Sequence, residues 1–405
     1  MALRALGRIE AGVACLRRGV ALKPGDAAAL SNLGNALRAA GRLDEARDSH
    51  LAAIEIDPSA GSFVYNLGLV LRDLGDFDGA IDRFDAAEAQ GYQTPELSWD
   101  RALARLLRGE LKRGFAEYEW RWKIPDAKPR DLPGVAWKGE PLDGKTLLIY
   151  AEQGFGDTIQ FVRYLSMLAG RAEHIVFECQ EPLARLFHDS PACENVTLVV
   201  REEDDLPHFD AHVALLSLAH LLETDVDSIP ATVPYLAPPT DTPRIVPRGN
   251  GLRVGLVWAG KPSHRNDRNR SLALPVLAPL LETAGADFHS FQLSDPADTI
   301  GPLGFSALLA DLRPGIRDFA DSAALMNEMD LIISADTAPA HLAGALGRPV
   351  WVLVPFAPDW RWLAGQDESP WYPSMRLFRQ TRSRDWEGVV KRLCEALVQH
   401  IATNR

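Results

Sequence analysis

Short apolar runs alternate with polar turns and amphipathic stretches over the last two thirds of the chain. The clearest unit is 331–354, where one apolar run ends at Ser334 and a second runs from Val350 to Val354. Gly347 stands where a short helix between the two runs would end. Short apolar runs bounded by turn residues are typical of buried strands. The pattern predicts strand, sharp turn, helix and strand.

The turn of this unit carries polar residues suited to an anion. Asp336 and Thr337 stand at the expected N-cap, and Pro339 suits the first helical turn. His341 follows Thr337 by one helical turn, so both side chains can face one ligand. Ligands bind at the carboxyl ends of strands in open α/β sheets, and a helix N-terminus attracts anions, so the turn suits a diphosphate. The simpler alternative is that His341 is a core histidine.

The same alternation predicts an α/β region in two Rossmann-like halves joined by Pro-rich linkers. The predicted domains are a repeat region over 1–125, a linker over 126–144, a first half over 145–240 and a second half over 250–405. Predicted strands are 145–151, 174–179, 196–200, 210–216, 253–259, 287–293, 330–334 and 350–354, and predicted helices include 159–168 and 385–401.

The first 125 residues repeat with a period of 34. The matching positions are Asn32-Leu33-Gly34 with Asn66-Leu67-Gly68, Gly41 with Gly75, and Ala46 with Ala80. This spacing resembles the tetratricopeptide repeat, a pair of antiparallel helices, over three to four units. The first unit is degenerate, with Gly7 in register, and the last diverges through 114–122. Such repeats form either a concave surface for a protein partner or a packing platform, and both interpretations remain open.

Composition excludes several classes of protein. The net charge of -12 argues against a general binder of nucleic acid or anionic membrane. The four scattered cysteines include no C-x-x-C pair, which fits a reducing compartment and predicts no structural zinc. No apolar run reaches the roughly 20 residues of a membrane-spanning helix, and no signal-peptide core opens the chain. We therefore expect a cytoplasmic protein without a transmembrane segment.

Two motifs together resemble the GT-B glycosyltransferases, and more closely the ADP-heptose:lipopolysaccharide heptosyltransferase family (glycosyltransferase family 9), over about 145–400. They are Gly156-Asp157 after the first strand of the first half and the D-T-x-x-x-H turn from Asp336 to His341. The resemblance implies that Asp157 is the general base. It also implies that Asp336, Thr337, Ala338 and His341 line the donor pocket and that Lys261 binds a phosphate. The family carries Gly where this chain has Ala338, so the backbone contact there is expected to differ.

Other residues extend the predicted site. The loop from Lys261 to Ser271 contains several basic residues, including Arg270, and predicts a positive patch for a leaving diphosphate. Gln292, at a strand end, is placed to touch the base or ribose. Gly154 and Gly156 support the first turn. Ile159 stands where the third glycine of a dinucleotide fingerprint belongs, so NAD binding is not expected.

The sequence as a whole predicts a metal-independent, inverting glycosyltransferase that uses a nucleotide-diphosphate sugar as substrate and needs no cofactor. The repeats would dock a protein or glycan acceptor. Two alternatives stay open: a non-catalytic repeat scaffold with a degenerate transferase fold, and an epimerase that isomerises or hydrolyses a nucleotide sugar. Asp76-Phe-Asp78 resembles a metal-binding D-x-D, but it falls in a repeat turn, so we expect a structural role.

Overall fold

The computed structural model describes residues 9–125, 127–242, 249–264, 266–293 and 295–403. Gly7, residue 126, Arg265 of the basic loop and the linker residues 243–248 lie outside the described residues. The chain divides into two compact units. The first comprises the described residues up to Arg130 with Asp359–Ala364, and the second comprises Asp131–Pro358 with Gly365 onward.

The first unit is a series of antiparallel helices. They are α1 (Ile9–Leu22), α2 (Ala27–Ala39), α3 (Leu43–Ile56), α4 (Gly61–Leu74), α5 (Phe77–Ala89), α6 (Pro95–Arg108) and α7 (Leu111–Tyr118). The repeated glycines allow close packing, because a Cβ at Gly34 would lie 2.5 Å from the ring of His50 and one at Gly68 would lie 2.7 Å from the ring of Phe84. The predicted repeats are confirmed.

The D-x-D of the repeats has the expected structural role. Asp76 Oδ1 accepts a hydrogen bond from the Gly79 amide at 2.9 Å and caps α5. Asp78 forms an ion pair with Arg108 of α6. Both carboxylates are therefore used within the repeats.

A short segment of the second half packs in the first unit. The Trp360 ring meets Phe115 edge-on at 5.5 Å between centroids, and the Ala364 amide donates to the Leu107 carbonyl at 2.8 Å. Trp362 is fully buried. The structure thus gives Trp360 a packing contact with the last repeat helices.

The second unit contains two parallel sheets. The first is built from β1 (Val135–Ala136), β2 (Leu142–Tyr150), β3 (Ala172–Cys179), β4 (Thr197–Val200) and β5 (Ala211–Ala214), in the order β1-β5-β2-β3-β4. Its helices are α8 (Phe155–Phe161), α9 (Glu181–His188) and α10 (Leu218–Leu221). The predicted first linker contains β1, which pairs with β5 at the edge of the sheet.

The second sheet, among the described residues, has the order β11-β10-β9-β6-β7-β8. Its strands are β6 (Leu252–Val257), β7 (Ala286–Ser290), β8 (Leu309–Asp311), β9 (Leu331–Ala335), β10 (Val350–Val354) and β11 (Met375–Arg379). Its helices are α11 (Asp267–Arg270), α12 (Ala278–Leu281), α13 (Phe319–Asn327), α14 (Ala338–Ala345) and α15 (Trp386–Thr403). Helical repeats followed by two Rossmann-like parallel sheets confirm the predicted fold class.

One predicted helix, 159–168, is only partly correct. The α-helix ends at Phe161, and Val162–Leu168 forms a 3-10 helix. Arg163 Nε donates to the Gln160 carbonyl at 2.8 Å, which a continuing α-helix would pair with the amide of Tyr164. The change of helix type therefore accompanies the burial of Arg163.

No helix among the described residues is both long enough and apolar enough to cross a membrane.

Candidate functional site

The two predicted turns meet at the carboxyl ends of β2 and β9. A Cβ built on Gly156 would lie 3.1 Å from Cδ2 of His341 and 3.3 Å from Cα of Ala338. Gly156 belongs to the first turn of α8, whereas Ala338 and His341 belong to the start of α14. Only a residue without a side chain fits this approach comfortably. The structure thus brings together the residues of both sequence motifs.

The N-cap side chain of helix α14 makes no capping hydrogen bond within the part of the chain that the structure describes. Thr337 is its N-cap residue, as predicted, but its hydroxyl donates to the Ala335 carbonyl at 3.2 Å and lies 3.5 Å from the hydroxyl of Ser334. Pro339 lies in the first turn, and Gly347 ends the segment at φ +69°. The positive end of the helix dipole is therefore available to an anion rather than satisfied by the Thr337 side chain.

Asp157 lies in the first turn of α8, and its side chain is half-buried. Its Oδ2 accepts a hydrogen bond from the Gly154 amide at 2.9 Å, as a helix cap does. The structure thus shows a capping role for this carboxylate. Its role as the general base stays a prediction.

Arg270 is a cation that lies beside the D-T-x-x-x-H turn. Its Nη1 donates to the Asp336 carbonyl at 2.9 Å, and a Cβ on Gly260 would lie 2.7 Å from its Nη2. Gly260 therefore leaves the space that the guanidinium occupies. Lys261 is exposed at the start of the same loop. Phosphate binding by either cation stays a prediction.

Gln292 follows β7, and its side chain holds the backbone just after β6. Its side chain is 3% exposed, and its Oε1 accepts from the amides of Trp258 at 3.1 Å and Ala259 at 2.9 Å. Its Nε2 donates to the Ala259 carbonyl at 2.9 Å. Because these bonds use most of the amide, its predicted contact with the base or ribose gains no support from the geometry.

Sequence reasoning missed the contact between His341 and Tyr372. His341 Nδ1 lies 3.0 Å from the Tyr372 hydroxyl, and both side chains are buried. Burial raises the pKa of Tyr372 well above its usual value, so the phenol stays neutral. No spacing in the sequence marks this pair, because the two residues come from separate elements.

A further contact joins α9 of the first half to α13 of the second. Arg185 Nε lies 3.1 Å from Asp318 Oδ2, and Arg185 also pairs with Asp321. Burial alone would raise the pKa of Asp321, but the hydrogen bonds from Arg317 and Arg185 outweigh it and lower that pKa to about 2. The carboxylate of Asp321 therefore stays ionised between two arginines.

A concave surface of about 520 Å³ lies at the other end of the first sheet, lined by Pro133, Gly134 and residues 206–210. These residues precede β1 and β5 and so mark the amino ends of those strands. Ligands of parallel α/β sheets bind at the carboxyl ends. We therefore place the candidate site at the two turns.

Comparison with protein families adds two matches. The tetratricopeptide repeat model matches residues 1–61 and 65–127. The model of glycosyltransferase family 9 (heptosyltransferase) matches residues 314–354, which include the whole D-T-x-x-x-H turn. The chain is thus similar to tetratricopeptide repeats near its start and to glycosyltransferase family 9 over residues 314–354. Both parts of the predicted resemblance are thus confirmed.

Protein FlbA of Caulobacter vibrioides is 28% identical to this chain over 339 residues, covering 74% of this chain and 54% of that protein. The chain therefore spans about half the length of this relative. Among solved structures, a mutant O-GlcNAc transferase of Thermobaculum terrenum covers 99% of this chain and 90% of its own at 15% identity and a TM-score of 0.34. YrrB, a repeat protein with a peptide-binding site, covers 30% and 62% at 20% identity and a TM-score of 0.26. These TM-scores are too low to support a comparison of sites.

Proposed function

We propose that this protein is a glycosyltransferase that moves a hexose or heptose from a nucleotide-diphosphate sugar to an acceptor hydroxyl. The observation that carries the proposal is the contact of Gly156 with Ala338 and His341, which unites the turn of the predicted base with the turn of the predicted phosphate site. The family 9 match over residues 314–354 supports the same assignment for the second turn.

The donor diphosphate would lie at the N-terminus of α14. Backbone amides of the first helical turn and the helix dipole favour an anion there. Arg270, bonded to the Asp336 carbonyl at 2.9 Å, places a positive charge beside the same turn. Lys261, exposed on the loop, would add a second cation. These groups would stabilise the charge that develops as the nucleoside diphosphate leaves, without a metal ion or a cofactor.

The transfer would be a single displacement with inversion at the sugar C1. Asp157 would accept the proton of the acceptor hydroxyl. At the same time the hydroxyl oxygen of the acceptor would attack C1, and the bond from C1 to the phosphate oxygen would break. The bond that Asp157 accepts from Gly154 would orient the carboxylate.

The repeats would dock the acceptor, which we expect to be a protein or a glycan. Tetratricopeptide repeats stack helix pairs into a curved surface suited to extended partners. The family match over residues 1–61 and 65–127 supports this part of the proposal, but it does not identify the partner.

A second candidate function is a non-catalytic scaffold that keeps the transferase fold. The observation in its favour is that Asp157 already caps α8 through Gly154, a role that requires no chemistry. A scaffold would bind protein partners through the repeats and would not turn over a nucleotide sugar.

Calorimetric titration with ADP, GDP, UDP and CMP, followed by incubation with the matching sugars without metal, separates these functions. The transferase predicts micromolar binding of one diphosphate, roughly tenfold weaker in Arg270→Gln and Lys261→Ala, because each loses one charge near the phosphates. Asp298→Asn, which alters an exposed ion pair with Arg313, is the matched control. Binding that yields free sugar instead of a glycoside would favour the epimerase or hydrolase alternative, and no binding would favour the scaffold.

A further inference from the structure

Arg163 is a buried cation that pairs with no carboxylate among the described residues. Its side chain is 2% exposed. Its Nη1 donates to the carbonyls of Trp371 at 2.6 Å and Pro230 at 3.2 Å, and its Nη2 donates to the Tyr235 hydroxyl at 2.9 Å. A buried cation is costly unless its hydrogen bonds are made, and here neutral oxygens accept them. The guanidinium therefore ties the segment after α8 to the segment from Pro230 to Tyr235 and to the segment before β11.

The same guanidinium fixes the ring of Tyr372. Cζ of Arg163 lies 4.5 Å from the ring centroids of both Tyr235 and Tyr372, so the planar cation faces two aromatic rings. Its bond to the Trp371 carbonyl holds the backbone next to Tyr372. Both contacts leave the Tyr372 hydroxyl little freedom to move.

The hydrogen-bond pattern sets the direction of the bond between Tyr372 and His341. The Tyr235 hydroxyl has one proton, and it lies 2.9 Å from the Ile159 carbonyl, which can only accept. Tyr235 cannot use that proton for Tyr372 as well. The Tyr372 proton has a partner at 3.0 Å in His341 Nδ1 and a longer one at 3.5 Å in Tyr235. We assign the shorter bond, with Tyr372 donating to Nδ1.

An imidazole that accepts at Nδ1 carries its proton on Nε2 when neutral. The opposite edge of the His341 ring faces the first turn, since a Cβ added at Gly156 would lie 3.1 Å from Cδ2. One edge of the ring is thus held by a hydrogen bond, and the other lies beside the first turn.

We infer that Tyr372, anchored by Arg163, is a positioning residue that holds His341 as the Nε2–H tautomer, so that this nitrogen donates to the diphosphate of the sugar donor. The identity of the anion rests on the proposed function, whereas the tautomer does not. Hydrogen-bond partners that fix the tautomer of a functional histidine are a general device in protein sites.

The test is Tyr372→Phe, which keeps the ring over Arg163 and removes only the hydroxyl. Proton-coupled 15N NMR of the full chain with labelled histidine reports which ring nitrogen carries the proton. Because the chain has ten histidines, the His341 signals are assigned by their loss in His341→Gln. The matched control is Tyr164→Phe, since Tyr164 is equally buried but its ring stacks on Phe161.

We expect a wild-type His341 signal of the Nε2–H tautomer and a mixture of tautomers in Tyr372→Phe. Titration with ADP, GDP and UDP should show binding of the preferred diphosphate weakened about threefold to tenfold in Tyr372→Phe, the usual worth of one hydrogen bond. Tyr164→Phe should change neither quantity. Arg163→Lys, which keeps the charge and loses the planar fork, should shift the tautomer in the same direction.

A wild-type tautomer and wild-type affinity in Tyr372→Phe would overturn the inference. Equal weakening of binding in both tyrosine variants with an unchanged tautomer would also overturn it, since that result reports a general loss of packing. A tautomer that depends on Tyr372 in a protein that binds none of the diphosphates would support the positioning geometry and reject the proposed function instead.

Discussion

Gly156 and His341 lie so close that a single methyl group on the glycine would reach within 3.1 Å of the imidazole. Gly156 lies in the first turn of α8, and His341 lies near the start of α14. Each of these helices follows a central strand of a different sheet. Their contact makes one site of two turns. It also defines where a small change should have a large effect.

Gly156→Ala should weaken nucleoside-diphosphate binding and destabilise the second unit by about 1–3 kcal/mol. The added methyl would meet the Ala338 backbone at 3.3 Å, and a backbone atom cannot yield as the end of a flexible side chain can. Gly315→Ala is the control, because a Cβ there meets nothing within 4 Å. Chemical denaturation and calorimetric titration of both variants check this. Equal stability and equal diphosphate affinity of the two variants would show that the turns are not in close contact.

His50→Phe should stabilise the repeats at neutral pH by about 1 kcal/mol. His50 stands 34 residues before Phe84, and each ring fills the space beside the corresponding glycine. The side chain of His50 is fully buried, and its Nε2 has no hydrogen-bond partner among the described residues. Phenylalanine would fill this place without burying an unsatisfied nitrogen. Urea unfolding followed by circular dichroism measures the difference.

The same position predicts acid sensitivity of the repeats. Burial and the nearby charge of Arg38 lower the pKa of His50 to about 4, below its ordinary value of 6.5. The unfolded chain therefore binds this proton more readily, so the stability contribution is complete above pH 6.5 and is lost as the pH falls toward 4. The wild-type protein should lose up to about 3 kcal/mol more than His50→Phe over this range. Parallel curves for the two proteins would reject the buried neutral histidine, and His208→Gln, at an exposed site, serves as the control.

Asp321→Asn should cost about 2–4 kcal/mol, because it leaves Arg185 and Arg317 beside a neutral side chain at a position that is 1% exposed. Asp298→Asn, whose pair with Arg313 is exposed, should cost less than about 1 kcal/mol. Thermal unfolding at pH 7 compares them. The stabilisation that ionised Asp321 gives the folded wild-type protein should persist down to about pH 4 and fall toward pH 2, since the pKa of Asp321 is lowered to about 2. Matching losses in the two variants would mean that the buried pair adds little.

Local patterns in the sequence predict most of the fold. The period of 34 identifies the repeats because each glycine must face a ring, and short apolar runs identify the central strands because parallel strands are buried on both faces. The edge strands β1, β8 and β11 escape this reasoning. In β11, Arg376 and Arg379 interrupt the apolar pattern, as edge strands commonly do.

The candidate site is less visible in the sequence. The D-T turn and the Gly-Asp turn can be recognised one at a time, because each follows a strand and opens a helix. The contact between the two turns cannot be recognised from the sequence, since it depends on how the two sheets pack. Arg163 and Tyr372 belong to no motif, and only the folded chain brings the guanidinium over the tyrosine ring. Gln292 shows the opposite case, in which a well-placed polar residue turns out to bond mainly to the backbone.

In the proposed mechanism, Asp157 removes the acceptor proton while the turn of α14 binds the donor. The most direct test is Asp157→Asn, which can still accept the bond from the Gly154 amide and so preserves the cap. Donor affinity by calorimetry and glycoside formation by mass spectrometry are measured on the same preparation. We predict unchanged affinity and transfer reduced at least about 100-fold, the usual contribution of a general base. Unchanged transfer in Asp157→Asn would contradict the account.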